Sequence, residues 1–191
     1  MTTNVIFAGV GGQGVILASK VLMAAALKAG LDVKESEVHG MAQRGGSVDC
    51  HVRFGEKIYS PLIPMGSADY IVCFELIETL RKLEYLAKDG KCLVNRTEID
   101  PAPVVTGAMK YPDNIEEWLN KNIKGSVIID GESAMKEAGS SRVLNIIMLG
   151  ALSAYLGFSD EVWEYAIRSV VKEKFIELNL NAFHIGRNLI R

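Results

Sequence analysis

The chain has 191 residues, 49% hydrophobic and 23% charged, an ordinary globular mixture long enough to bury a substantial core as one domain over 1–191. A formal net charge of -2, with Lys and Arg spread along the chain, argues against a nucleic-acid binder and against an anionic-membrane binder. Cys50, Cys73 and Cys92 form no CxxC pair and are too few for an iron–sulfur or zinc site supplied by this chain alone. In their apolar, strand-like settings they read as small buried hydrophobes of a reducing cytoplasm.

The N-terminus has no basic n-region, and glycines break its apolar run at once, so it does not read as a signal peptide. Val5–Ala8 is a short apolar run that predicts a buried parallel strand. Val15, Ala18, Leu22, Ala25, Ala26 and Ala29 then recur at helical spacing, and Gly30 stands where that helix ends. A strand over Asp32–Val38 completes a β-α-β unit, which predicts a parallel pair.

In Ser47–Phe54, Val48, Cys50, Val52 and Phe54 alternate with Ser47, Asp49, His51 and Arg53, the pattern of a half-buried strand with His51 on its wet face. Gly55-Glu56 offers a hairpin turn into Lys57–Tyr59. Tyr70–Phe74 reads as a strand, followed by a helix carrying Leu76, Leu80, Leu83 and Ala87 and stopped by Asp89-Gly90. Cys92–Asn95 is a further strand. Val104–Val105 is a short edge strand, since Pro101 and Pro103 bar a central position.

Asp113 and Glu116 have capping-box spacing before a helix with Ile115, Trp118 and Leu119 on one face. Val127–Ile129 is the last strand. From Ser141 the chain reads as helical: Val143–Leu156, a segment capped by Ser159, and Lys174–Leu189. Val143–Leu156 is interrupted by Asn145 and Ser153 and is too short to span a bilayer, so a soluble chain is expected. Together these elements predict an α/β/α three-layer fold: a mainly parallel Rossmann-like sheet, an antiparallel hairpin and a helical C-terminus.

Gly9, Gly11 and Gly14 satisfy GxGxxG between a strand and a helix, and Glu35 or Glu37 lies where a ribose-binding acid would sit. Two readings stay open. The loop Gly9, Gly11, Gly12, Gln13, Gly14 could cradle an anion at a helix N-terminus, or the glycines could serve only a tight turn and close helix–sheet packing.

The glycine loop GVGGQGV occurs together with SEVHGMAQRGGSV (Ser36–Val48), with Asn145 ahead of LGAL (Leu149–Leu152), and with NLNAFHIG (Asn179–Gly186). This combination resembles the gamma-type domain of 2-oxoacid:ferredoxin oxidoreductases over essentially the whole chain, most closely the small (beta) subunit of the indolepyruvate branch. The resemblance implies oxidative decarboxylation of 2-oxoacids, aryl pyruvates above all, to acyl-CoA, CO2 and reduced ferredoxin. It implies no cofactor on this chain. Thiamine diphosphate, Mg2+ and [4Fe–4S] clusters would sit on a large (alpha) partner subunit, with CoA as co-substrate and a dimer of heterodimers as one arrangement. No catalytic residue and no metal ligand are expected here, and the isolated chain should be inactive.

Within that resemblance, Glu37, His39, Gln43, Arg44, Gly45 and Gly46 form a loop facing the partner or its active site. Arg44 could meet a partner carboxylate, pair with a substrate or CoA anion, or be a solvated loop arginine. His39 could donate a proton at a composite site or be a hydrogen-bonded structural histidine. Asn145 and Asn181 read as buried structural amides, Asn145 bonded to a nearby loop such as the glycine turn. His184 reads as a helix–helix contact, and Trp118 and Trp163 as core or interface anchors. Two rival readings remain, a stand-alone NAD(P)- or nucleotide-binding oxidoreductase and a Rossmann-like binding or scaffold protein.

Overall fold

The computed structural model describes residues 2–40 and 46–190, without the side chain of His39. Alternation along the first strand, β1 (Thr2–Val10), separates the layers. Val5 and Phe7 face one apolar cluster, and Ile6 and Ala8 face the other. Such two-sided burial requires cover on both faces of the sheet.

Six strands lie in the order β2-β3-β1-β4-β5-β6, the others being β2 (Asp32–His39), β3 (Ser47–Gly55), β4 (Ala68–Cys73), β5 (Leu86–Asn95) and β6 (Ser126–Ile129). β1, β4, β5 and β6 pair in parallel, and β3 pairs antiparallel with both β1 and β2. The expected fold class is therefore observed, but the parallel β1–β2 pair is not. β3 stands between them, with Val52 opposite Val5 on one side and Glu35 on the other. The connection from His39 to Ser47 is short enough to join antiparallel neighbours, which a parallel crossover is not.

Because both edges of β3 are occupied, the predicted hairpin at Gly55-Glu56 does not form. Residues 56–67 instead leave the sheet and cross its face, anchored by Ile58 and Ile63. The Ile58 N–H donates to Asp32 at 2.8 Å, and Arg53 Nη1 donates to the carbonyls of Ser60 and Leu62 at 3.0 and 3.1 Å. This strap removes the wet face predicted for β3, so Asp49 and His51 are buried.

Helix α1 (Val15–Lys28) ends as predicted, with Gly30 at φ 79. Helix α2 (Leu76–Lys82) is shorter than expected. It passes through one 3-10 turn into β5, which continues past Asp89-Gly90 with a break in its register against β4 between Leu86 and Lys91. Glycine is needed at position 90 because a Cβ there would meet the Ala68 carbonyl at 2.7 Å and the Leu86 side chain at 2.8 Å. The predicted edge strand at Val104–Val105 is a short helix, α3 (Ala102–Val105), since Pro101 and Pro103 suit a helical first turn.

Helix α4 (Ile115–Asn122) forms without the expected capping box. Asn114 holds the N-cap at φ 58, while Glu116 turns outward to Arg96 at 2.9 Å. Trp118 is half exposed and leaves the face shared by Ile115 and Leu119. Helix α5 (Gly131–Ala138) was not anticipated; Asp130 caps it, accepting the Ser133 N–H at 3.0 Å. Then come α6 (Leu144–Ser153), α7 (Asp160–Val170) and α8 (Ile176–Asn188). α1 and α5 to α8 cover one face of the sheet, while α2, α4 and the strap cover the other. Trp163 of α7 is fully buried beside Phe158 and Phe183. Among the described residues no helix is long and apolar enough to cross a membrane.

Candidate functional site

The connections that follow β1, β4, β5 and β6 gather at the carboxyl edge of the parallel strands, where α/β sheets bind ligands. β1 ends at Val10 and α1 begins at Val15, so Gly11–Gly14 must reverse the chain. Gly12 (φ 103) and Gly14 (φ 81) take left-handed backbone that other residues resist. The Gly14 carbonyl accepts from the N–H groups of Leu17 and Ala18 at 3.0 and 3.1 Å, opening the helix.

Gln13 folds back into this turn. Its Oε1 accepts the Val10 N–H at 2.7 Å, and its Nε2 donates to the Phe74 carbonyl at 2.9 Å. Asn95 Nδ2 donates to the same carbonyl at 3.1 Å, and Asn95 Oδ1 accepts the Gly131 N–H at 3.1 Å. Two side-chain amides therefore tie the ends of β1, β4, β5 and β6 into one rigid rim. The Gly11 N–H donates to the Gly46 carbonyl at 2.9 Å, bringing the last residue of the second predicted loop against the first. Gln43, Arg44, Gly45 and the His39 side chain lie outside the described residues.

Above the rim is a cavity of about 530 Å³ lined by Gly12, Gln13, Gly14, Thr97, Arg142 and Asn145, among others. Asn145 is 3% exposed and packs directly on Gly14. Among the described residues its amide has no hydrogen-bond partner, so the expected bond to the glycine turn is replaced by van der Waals contact. Thr97 and Arg142 carried no sequence signal. Only the strand order places the ends of β5 and the start of α6 beside the glycine turn.

The candidate ribose acid is otherwise engaged. Glu35 accepts the hydroxyl of Ser19 from α1, and burial, opposed by that bond, pushes its carboxyl above the ordinary value. Ligand atoms of Glu35, Glu37 and Cys50 lie within 4.8 Å of one another. Burial pushes the Cys50 thiol up to about 12. Cys92 is likewise pushed up to about 12 and Cys73 well above its usual value, both by burial inside the sheet. All three cysteines are free and buried, a poor fit to a metal cluster.

Three further expectations need correction. His51 is buried, its Nδ1 accepting the Ile63 N–H at 3.2 Å and its Nε2 lying 3.6 Å from Asp49. Asn181 is exposed; the buried amide of α8 is Asn179, which donates to the Phe175 carbonyl at 2.8 Å. His184 is exposed on the rim of a groove between α7 and α8 rather than packed between helices.

The family model described as pyruvate ferredoxin/flavodoxin oxidoreductase matches residues 4–189. The chain is 41% identical over 188 residues to indolepyruvate oxidoreductase subunit IorB of Thermococcus kodakarensis, covering 96% of this chain and 93% of that protein. It is 40% identical over 192 residues to the IorB subunit of Archaeoglobus fulgidus, covering 98% and 95%. The gamma subunit of a keto/oxoacid ferredoxin oxidoreductase from Geobacter sulfurreducens superposes with a TM-score of 0.75 at 26% identity, covering 100% of this chain and 97% of that one. Sheet order, carboxyl-edge loops and full-length similarity agree, and the chain belongs to the pyruvate ferredoxin/flavodoxin oxidoreductase family.

Proposed function

We propose that this chain is the small subunit of a ferredoxin-dependent 2-oxoacid oxidoreductase acting on aryl pyruvates such as indole-3-pyruvate, in the cytoplasm. The observation that carries the reading is similarity at about 40% identity, over nearly the full length of both chains, to subunits named for indolepyruvate. The reaction would convert a 2-oxoacid and CoA to acyl-CoA and CO2, with the electrons passing to ferredoxin.

Thiamine diphosphate, Mg2+ and [4Fe–4S] clusters, which supply the decarboxylation and electron-transfer chemistry, would be held by a large partner subunit. Three buried cysteines, one on each of β3, β4 and β5, support that division of labour. The role left to this chain is to bind and enclose. Its glycine-turn cavity would take the anionic end of a co-substrate such as CoA, with Arg142 at the mouth and the Asn145 amide on the wall. Glu37, His39, Gln43, Arg44, Gly45 and Gly46 would face the partner. A stand-alone dinucleotide enzyme is the weaker reading, since the N–H groups of Val10 and Gly11 are already committed and Glu35 is held by Ser19.

The test is anaerobic purification of the native complex, with assay of bound thiamine and iron and of indolepyruvate-dependent viologen reduction. A large partner carrying both, and activity only in the complex, is the expected result. A chain that emerges alone and binds nicotinamide nucleotides at micromolar concentration, an affinity of about 8 kcal/mol, overturns the proposal.

A further inference from the structure

Two side chains one helical turn apart on α2 meet two side chains on alternate positions of β3. Glu78 Oε2 accepts the Ser47 hydroxyl at 2.6 Å, and Lys82 Nζ lies 3.0 Å from Asp49 Oδ1. Four helical residues rise about 6 Å and two strand residues about 6.6 Å, so the two pairs are in register. Glu78 is 2% exposed and Asp49 7%, and buried carboxylates are costly unless partnered. Arg81 Nη1 completes the Glu78 set at 2.6 Å, and His51 approaches Asp49. Burial pushes the Asp49 carboxyl up, but bonds to His51 and Lys82 leave it below its ordinary value.

Ser47 is the residue at which the chain rejoins the sheet after β2. Its carbonyl accepts the Gly40 N–H at 2.7 Å, and the preceding carbonyl, of Gly46, accepts the Gly11 N–H at 2.9 Å. An unbroken series of bonds therefore runs from α2 through Ser47 and Gly46 to the glycine turn, between segments far apart in sequence. Removing its buried anchor takes from the Ser47 hydroxyl the carboxylate that accepts it.

We propose that Glu78 is a positioning residue that, through Ser47, seats Gly46 and the start of β3 against the Gly11–Gly14 turn and so shapes the edge that meets ligand and partner. The seating itself stands on the geometry above; its effect on turnover rests on the proposed subunit role.

Hydrogen exchange on the full chain tests the seating, comparing Glu78→Ala, Ser47→Ala, the double variant and Glu78→Gln. The expected result is at least about tenfold faster exchange at the Gly11 and Gly40 amides, with α6 and α8 unchanged. The double variant should add little to either single one, and Gln should restore protection because its amide oxygen still accepts the Ser47 hydroxyl. Exchange unchanged at both amides, raised equally across α6 and α8, or fully additive in the double variant would overturn the proposal. Should Glu78→Ala fail to fold, Ser47→Ala and Glu78→Gln carry the same comparison. In the assembled enzyme the Ser47→Ala defect should appear in KM rather than kcat. Failure of the wild-type chain to assemble an active enzyme sinks the subunit reading and leaves the exchange result standing.

Discussion

Asn145 lies flush against Gly14, so close that a Cβ at position 14 would sit 2.8 Å from its Nδ2. Gly14 also needs φ 81, whereas Gly12, at φ 103, faces open space. Gly14→Ala thus incurs backbone strain and collision together, and Gly12→Ala strain alone. We expect Gly14→Ala to cost about 3 kcal/mol and Gly12→Ala about 1–2 kcal/mol. Urea unfolding would order the two, and equal losses would mean that Asn145 yields freely.

The Asn145 amide faces the glycine-turn cavity from a buried position. A carboxylate there would repel an anion while changing little in shape. Asn145→Asp should weaken CoA or inorganic phosphate binding at least tenfold, about 1.4 kcal/mol, measured by calorimetry on the complex. Unchanged affinity would show that the cavity takes no anion.

α6 and α8 cross in backbone contact. A Cβ on Gly150 would collide with the Phe183 carbonyl, and one on Gly186 with the Ile147 carbonyl. Since α6 is buried throughout, the helices have no free direction in which to separate. Gly150→Ala and Gly186→Ala should each lose about 2–3 kcal/mol, although alanine is the better helix former. A gain in thermal stability would contradict the contact.

The buried thiols make the fold sensitive to alkali. Cys50 and Cys92 are pushed up to about 12 by burial, whereas an unfolded thiol titrates near ~8.5. The folded state therefore keeps protons that the unfolded chain has lost. This contribution is complete below about pH 8.5 and disappears as pH rises toward about 12. The urea midpoint of the wild type should fall between pH 8 and pH 11 more steeply than that of a Cys50→Ala/Cys92→Ala variant. Parallel curves would mean that the thiols are solvated. At pH 8 a thiol reagent should label none of the three cysteines until the chain is denatured.

Much of the layering was legible from periodicity. Val5–Ala8 and Cys92–Val94 are short, wholly apolar runs, and such runs are buried on both faces wherever they are placed. The glycine turn was equally legible, because a strand followed at once by left-handed positions has few other conformations. Sequence alternation misled in β3. Asp49 and His51 looked wet because the pattern reports side-chain chemistry, and it could not report that residues 56–67 would cover them. Nor could it distinguish Asn179 from Asn181 on α8, since the two lie about 200° apart around the helix and its rotation against the core decides which amide is buried.

By itself, the sequence determined the existence of the turn, the α1 helix behind it and the family to which both belong. Those depend on local backbone preference and on a residue combination confined to short segments. The tertiary structure alone decided that β3 separates β1 from β2, that Gln13 and Asn95 share the Phe74 carbonyl, and that Glu78 reaches Ser47. Each is a contact between residues distant along the chain, set by which strands are neighbours, and strand neighbourhood is a property of the whole sheet rather than of any one segment.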